Sequence, residues 1–206
     1  RSRATVEGYH RYLSLRAERS LSDEMTSEML SVFATHSMLG SPEALRYTEQ
    51  LCAQVAALPE GRRGKRILWL LPHWQDSLRA LLNFRPDVEI VGCDMALDAD
   101  VLPEPERPYE SMARRLVCSS FNGGAERRAE RAAELARLLR ADGAVYFCHW
   151  GCKQTSGAAQ LVKRRLEAAG FPTLVLDGDG CDSGNVNDGQ MVTRLQAFLE
   201  LLEGCR

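Results

Sequence analysis

Four short apolar segments constrain the fold of this chain more than any other feature. Each is four to six residues long and almost continuously apolar, and they lie at residues 66–71, 87–92, 143–147 and 173–176. Runs of this length and composition are typical of strands that are buried on both faces of a parallel sheet. Stretches with helical spacing follow the segments, at 74–84, 125–140, 157–169 and 188–203. This alternation predicts right-handed crossovers and an open α/β sandwich.

The residues before the first apolar segment have the spacing of helices. Val6, Tyr9 and Leu13 share one helical face, residues 25–36 repeat that spacing, and Ser41-Pro42-Glu43 begins a third helix. We therefore divide the chain into a helical segment over 1–61 and a flavodoxin-like domain over 62–206. The domain is predicted to be a three-layer sandwich with about four parallel strands. Because the chain has no initiator Met, we expect a processed product or a fragment of a longer protein.

Charge and composition exclude several classes of function. Lys and Arg total 26 against 28 Asp and Glu, so no basic excess favours nucleic acid as a partner. No stretch approaches the roughly 18 apolar residues of a membrane span, and the charged N-terminus has no signal-peptide core. The seven cysteines are odd in number and widely spread, which favours a reduced, cytoplasmic compartment over a disulfide scaffold. The dense Arg and Glu residues at 126–137 indicate a solvated helix face.

Half of the four histidines and three of the seven cysteines fall in loops that follow predicted strands. Ligands of open α/β sheets bind at such carboxyl ends. His73 and His149 are therefore candidate catalytic residues, because an imidazole can polarise a carbonyl or shuttle protons. A hydrogen-bonded structural role is the competing interpretation of each. We expect both histidines and Cys152 to lie on one rim of the sheet, with Trp74 and Trp150 packed under the loops.

Cys152 is the leading candidate for a thiol that binds a metal or a cofactor. It precedes a helix predicted to begin near Thr155, and the free N–H groups and dipole of a helix N-terminus favour a thiolate. Thiolates bind metals and iron–sulfur clusters, and Gly151 lets the backbone approach a bulky ligand. Cys148 is the alternative ligand, and its C-x3-C spacing fits neither a zinc knuckle nor a redox C-x-x-C pair. A packed cysteine beside a tight turn is the competing interpretation.

Another cysteine, Cys181, is a weaker candidate, because the neighbouring carboxylates would repel a thiolate and an anionic cluster. A separate loop over 119–124 precedes a helix and is a candidate site for an anionic group such as phosphate. Its candidate residues are Ser119, Ser120, Asn122 and Gly123. The loop lacks the Lys-Ser/Thr of a P-loop, so nucleotide hydrolysis is not supported, and an ordinary connection is the competing interpretation.

Three blocks of sequence resemble a known family. They are PYESMARR at 108–115 with SSFNGG and AERR after it, VYFCHWGCKQTSGAAQLVKRRLEAAGFPTLVLDGDGCD at 145–182, and NVNDGQMVTRLQAFLELLEG at 185–204. Together they resemble the 2-hydroxyacyl-CoA dehydratases, which include (R)-2-hydroxyglutaryl-CoA dehydratase and relatives of benzoyl-CoA reductase. The likeness runs from about residue 62 to the end and is close over 108–204. The combination of GCK with DGDGCD is specific to that family.

The resemblance implies an oxygen-sensitive lyase of anaerobic metabolism, built as a heterodimer of two subunits. Each subunit has two flavodoxin-like domains with a [4Fe–4S] cluster between them, and an ATP-dependent activator protein supplies one electron. The electron passes to the acyl-CoA thioester carbonyl, and the resulting ketyl radical expels the hydroxyl group. Two cluster ligands come from the first domain and one from the second, which maps best to Cys152, with Cys148 as the alternative.

The same resemblance implies that this chain is the C-terminal part of a subunit. Cys52 is alone in a predicted helix, so residues 1–61 offer no pair of ligands and would link from a preceding N-terminal domain. Two alternative functions remain: a related double-cubane or [4Fe–4S] reductase of another small molecule, and a non-catalytic flavodoxin-like binding or assembly module.

Overall fold

The predicted parallel sheet is present in the computed structural model, which describes residues 1–21, 31–71, 87–95, 101–185 and 188–204. The sheet has the order β2-β1-β3-β4, and all three strand pairs are parallel. Its strands are β1 (Lys65–Leu70), β2 (Val88–Cys93), β3 (Gly143–His149) and β4 (Thr173–Gly178). This order equals the first four strands of a flavodoxin-like sheet. The predicted fold class is therefore confirmed.

The described part of the chain contains six α-helices. They are α1 (Ser2–Glu18), α2 (Pro42–Ala56), α3 (Pro108–Cys118), α4 (Ala125–Leu138), α5 (Lys153–Ala168) and α6 (Asp188–Gly204). Helix α2 begins where the sequence predicts, because the Ser41 hydroxyl accepts the Ala44 N–H at 3.0 Å and Pro42 occupies the first turn. The predicted helix at 74–84 lies outside the described residues. Of the predicted 25–36 helix only the end is described, and residues 33–37 form a π-helical turn.

Alternate residues of the strands pack against different helices, which produces three layers. Leu68 and Leu70 of β1 contact the core formed with α1, α2, α4 and α5. Ile67 and Trp69 point to the other face, where they pack against the apolar side of α6. Both faces of the sheet are thus buried, as the continuous apolar runs predict. No described helix combines the length and the apolar character that crossing a bilayer would require.

Residues of α1 and α2 belong to the same core as one face of the sheet. The side chains of Tyr9, Tyr12 and Leu13 are almost fully buried in it. A buried ion cluster also joins α1 to the strands, because Glu89 lies 2.6 Å from Arg66 and 3.6 Å from Arg16. The domain boundary placed at residue 61 stays a prediction, but the first helices pack directly on the sheet.

Candidate functional site

The loops that follow β3 and β4 meet beyond the carboxyl ends of the strands. We call this region the carboxyl edge and define it by residues 71, 94, 148–152 and 177–182. The Trp150 N–H donates to the Gly178 carbonyl at 3.0 Å, which joins the two loops. The Gln154 side chain donates to the Phe121 carbonyl at 2.7 Å, so the loop over 119–124 lies against the start of α5. Three predicted site segments are therefore neighbours in space.

Cys152 is the N-cap residue of α5 and is partly exposed. The backbone N–H of Thr155, followed by its hydroxyl and by the backbone N–H of Gln154, lowers the pKa of the Cys152 thiol. Partial burial opposes this effect, and the positive charge of Arg128 adds to it. The helix N-terminus thus favours an anionic sulfur at a position that a ligand can reach.

Cys148 lies four residues earlier in the sequence, in strand β3, and its environment is different. Only 8% of it is exposed, and burial raises the pKa of its thiol. The backbone of Cys148 is still paired with Asp177 inside the sheet. Its side chain belongs to the packed core that includes Tyr146. The two cysteines of the C-x3-C sequence therefore differ: one thiol is embedded in the core and the other faces the edge.

His149 is held in a defined orientation by the loop after β4. Its Nδ1 atom accepts the backbone N–H of Gly180 at 2.8 Å, so the neutral ring carries its proton on Nε2. The Nε2 atom lies over Gly151, where an added Cβ would be only 3.0 Å away. Gly151 therefore makes room for the imidazole, which presents an N–H donor beside the backbone of Gly151 itself.

The loop after β4 is shaped by Asp179. This carboxylate accepts the N–H groups of Cys181 and Asp182 at 2.9 and 3.2 Å and the Asn185 amide at 3.1 Å. The N–H of Cys181 contributes most to lowering the pKa of Asp179, followed by Asn185. Potential metal-ligand atoms of His149, Asp179 and Cys181 lie within 4.8 Å of one another. Hydrogen bonds of the loop already engage the histidine Nδ1 and both carboxylate oxygens.

Most candidate residues of the loop proposed to bind an anion are buried or hydrogen-bonded within the protein. Ser119 and Ser120 are 9% and 8% exposed, and the Ser119 hydroxyl accepts the Phe121 N–H at 3.2 Å. Asn122 donates its amide to the Leu116 carbonyl at 2.8 Å, whereas Gly123 is exposed. Anion binding by these residues stays a prediction.

Two further expectations concern aromatic and histidine side chains. His73 and Trp74 lie outside the described residues, so the convergence of His73 with His149 and Cys152 stays a prediction. The expectation for Trp150 is wrong, because 57% of it is exposed. Its indole N–H donates to the side chain of Asp177, near the end of β4, at 3.3 Å on the exposed surface.

Comparison with known proteins shows to which family the chain belongs. Residues 1–202 match the family described as 2-hydroxyglutaryl-CoA dehydratase, D-component. This chain belongs to that family. It is also similar to the (R)-phenyllactyl-CoA dehydratase beta subunit of Clostridium sporogenes, with 26% identity over 163 residues. That alignment covers 74% of this chain and 42% of the relative, so the chain spans less than half of the relative's length.

The family match confirms the resemblance and extends it. The sequence blocks placed its start near residue 62, whereas the match begins at residue 1 and includes α1 and α2. The matched region therefore includes the helical segment as well as the sheet. The six cysteines of the described residues are all free thiols.

One residue of the site was misread from the sequence. Arg128 lies in the charged run interpreted as a solvated helix face, yet only 3% of it is exposed and it pairs with Asp94 at 2.8 Å. The other Arg and Glu side chains of the run are mostly exposed, as predicted. The signal was available, since Arg128 precedes Ala132, Leu135 and Ala136 at helical spacing and so occupies the buried stripe.

Proposed function

We propose that this chain is the C-terminal part of a 2-hydroxyacyl-CoA dehydratase subunit and that Cys152 is a ligand of its [4Fe–4S] cluster. The complete enzyme would eliminate water from a 2-hydroxyacyl-CoA thioester after one-electron activation. The observation that supports this most is the Cys152 thiol, which is partly exposed at the N-terminus of α5 in a chain of the dehydratase family. A thiolate there is stabilised before any metal binds.

The donor set of the carboxyl edge fits one corner of such a cluster. A [4Fe–4S] cluster usually has four thiolate ligands, and the described residues contain no group of three cysteines close enough to bind one. Cys152 fits because its sulfur is partly exposed and because its surroundings favour the thiolate. Cys148 fits less well because burial disfavours its thiolate. The remaining ligands would come from outside the described residues.

When bound, the cluster supplies the single electron that elimination of an unactivated hydroxyl group requires. The residues of this chain have the supporting tasks. Cys152 would bind iron, and Gly151 leaves room for the His149 ring beside it. His149 offers its Nε2–H as a fixed hydrogen-bond donor to a carbonyl oxygen, because Gly180 occupies Nδ1. In this proposal His149 therefore polarises the thioester carbonyl and does not act as a base.

The proposed complex has three kinds of partner. A second dehydratase subunit and an ATP-dependent activator protein would complete the enzyme, and an acyl-CoA would be its substrate. The phosphates of the coenzyme are the anionic group for which Ser119, Ser120, Asn122 and Gly123 are candidates. Six free thiols in the described residues are consistent with a reduced, cytoplasmic location.

The test compares Cys152→Ala and Cys148→Ala in the complete dehydratase, reconstituted without oxygen with ferrous iron and sulfide. We expect Cys152→Ala to lose cluster iron, acid-labile sulfide and the paramagnetic resonance signal of the reduced protein, while Cys148→Ala retains them. The wild-type complex should dehydrate a 2-hydroxyacyl-CoA when activator and ATP are present.

Each other outcome contradicts a defined part of the proposal. If only Cys148→Ala loses the cluster, the ligand is four residues earlier. A cluster that depends on Cys152 but no turnover of any 2-hydroxyacyl-CoA would favour a reductase of another small molecule. If the wild-type complex binds no cluster, the chain is a binding or assembly module.

A further inference from the structure

Arg128 is a charged side chain enclosed beneath the carboxyl edge. Its guanidinium donates to the Asp94 carboxylate at 2.8 Å and to the Tyr146 hydroxyl at 3.3 Å. Its central carbon lies 4.7 Å from the Phe121 ring centroid and 5.2 Å from that of Tyr146. Asp94 also accepts the Leu71 N–H at 2.8 Å, at the end of β1. These hydrogen bonds and ring contacts fix the guanidinium and connect the ends of β1 and β2.

Two partners of Arg128 lead directly to the first turn of α5. The Tyr146 hydroxyl donates to the Thr155 carbonyl at 2.9 Å, and the Phe121 carbonyl accepts the Gln154 side chain at 2.7 Å. Gln154 and Thr155 follow Cys152, the N-cap residue of α5, and the Thr155 hydroxyl donates to the Cys152 carbonyl at 3.0 Å. Arg128 is therefore one contact away from both residues that shape the surroundings of the thiol.

Stability alone does not account for a charge at this position. A buried ion pair is often no more stabilising than apolar side chains of similar volume. The Arg128 Nε atom is also buried with no hydrogen-bond partner among the described residues, which adds a desolvation cost. The guanidinium lies one contact away from Gln154 and Thr155, which follow Cys152 in the first turn of α5, and in buried surroundings a charge acts over such a range.

We propose that Arg128 is a positioning residue that fixes the first turn of α5 and supplies a buried positive charge to the anionic group bound by Cys152. The inference rests on the proposed function, since it takes Cys152 as a cluster ligand. It assigns two separable properties to one side chain. The forked hydrogen bonds of the guanidinium hold the first turn of α5 in position. Its positive charge favours the more negative, reduced state of the group bound by Cys152.

The role of the charge is tested by measuring the reduction potential of the cluster in the reconstituted dehydratase. Paramagnetic resonance reports how much of the cluster is reduced at each potential. Arg128→Met with Asp94→Asn removes the ion pair without leaving a buried unpaired charge. We expect its potential to be more negative than that of the wild type, because Arg128 reaches the first turn of α5 through Tyr146 whereas Asp94 lies behind it, so the nearer of the two charges removed is the positive one. The matched control is Arg66→Met, which removes a buried cation near the amino ends of the strands and leaves Glu89 paired with Arg16. The control should retain the wild-type potential.

The geometry is tested with Arg128→Lys on this chain alone, without a cluster. Lysine keeps the charge but cannot make the forked contacts, so amide hydrogen exchange at 153–156 should become faster than in the wild type. Unchanged exchange would overturn the positioning role, and an unchanged potential in the double variant would overturn the role of the charge. A complex that keeps full iron and sulfide after Cys152→Ala contradicts the proposed function instead, whatever the Arg128 variants do.

Discussion

Tyr146 is the residue in which burial, hydrogen bonding and pH dependence can be measured together. Its hydroxyl donates to Thr155 and accepts from Arg128, and burial raises its pKa to about 12. We predict that Tyr146→Phe lowers the free energy of unfolding by about 1–3 kcal/mol near neutral pH, because buried polar groups lose a partner. Denaturant titration measures this difference.

The pH dependence of that difference has a defined sign. The folded pKa of Tyr146 is raised above the unfolded value of about 10, so its contribution is complete below pH 10 and declines as the pH rises towards 12. The stability advantage of the wild type over Tyr146→Phe should therefore shrink across that range. A difference that stays constant would contradict the raised pKa. Tyr109→Phe is the control, because 87% of Tyr109 is exposed and its removal should change stability little.

Gly151 is expected to resist even the smallest side chain. A Cβ at this position would lie 3.0 Å from the His149 Nε2, so the ring must move by a few tenths of an ångström. We predict that Gly151→Ala weakens the bond from Gly180 N–H to His149 Nδ1, and that the Gly180 amide exchanges faster with solvent.

The control for Gly151 is another glycine of the same region. Gly157 lies inside α5, and an added Cβ would contact nothing within 4 Å. Gly157→Ala should therefore stabilise the protein by about 0.5–1 kcal/mol through helix propensity. If Gly151→Ala stabilises equally and leaves the Gly180 amide unchanged, the close approach of His149 to this backbone is not a constraint.

The sequence predicted which residues lie at the site better than it predicted the side chains that they contact. The sequence predicted that Cys152 and His149 follow a strand and precede a helix, because strand ends and helix starts leave local patterns. Helical spacing places Arg128 on the buried stripe, but nothing local showed that its partner would be Asp94, 34 residues earlier. Pairing between distant charges depends on the tertiary fold, whereas helical periodicity is a local property.

The buried ion cluster of Arg16, Arg66 and Glu89 joins α1, β1 and β2. Burial lowers the pKa of Arg66 to about 10, with the charge of Glu89 opposing this effect. We predict that Glu89→Gln lowers the free energy of unfolding by about 3–5 kcal/mol, because two buried guanidinium groups lose their counter-charge. Denaturant titration measures it against Glu43→Gln, which breaks an exposed pair with Arg46 and should cost less than about 1 kcal/mol. Equal losses in the two variants would contradict this reading of the cluster.

Elements were predicted best where apolar composition alone decides them. Strands β1 and β2 match their predicted ranges within about one residue, because both are continuously buried. The prediction ended β3 at Phe147 and β4 at Leu176, but backbone pairing continues through Cys148 with Asp177 and His149 with Gly178. Polar side chains at the sheet edge do not interrupt a hydrogen-bond ladder, so hydrophobicity underestimates how far such strands extend.

At the scale of the whole molecule, the topology brings the candidate site together. Strands β1 and β3 are central neighbours in the order β2-β1-β3-β4. The carboxyl ends of parallel strands share one edge of the sheet, and there the loops after β3 and β4 meet although they are far apart in sequence. The alternation of strands and helices was enough to predict this arrangement. The role of the first helices was not predicted, because an amphipathic pattern does not show which surface a helix covers.

The packing of α1 and α2 leads to a prediction about the folding unit. Val6, Tyr9, Tyr12 and Leu13 of α1 and Val55 of α2 are at most 3% exposed, and all but Val6 belong to the core shared with β1 and α4. Burying one such side chain is worth about 1.5–3 kcal/mol, so together they approach the 5–15 kcal/mol stability of a typical domain. We therefore predict that residues 62–206 produced alone show no cooperative thermal unfolding, and that adding a separate 1–61 fragment restores it. A fragment 62–206 that unfolds cooperatively at the temperature of the full chain would contradict this and would make residues 1–61 a separate segment.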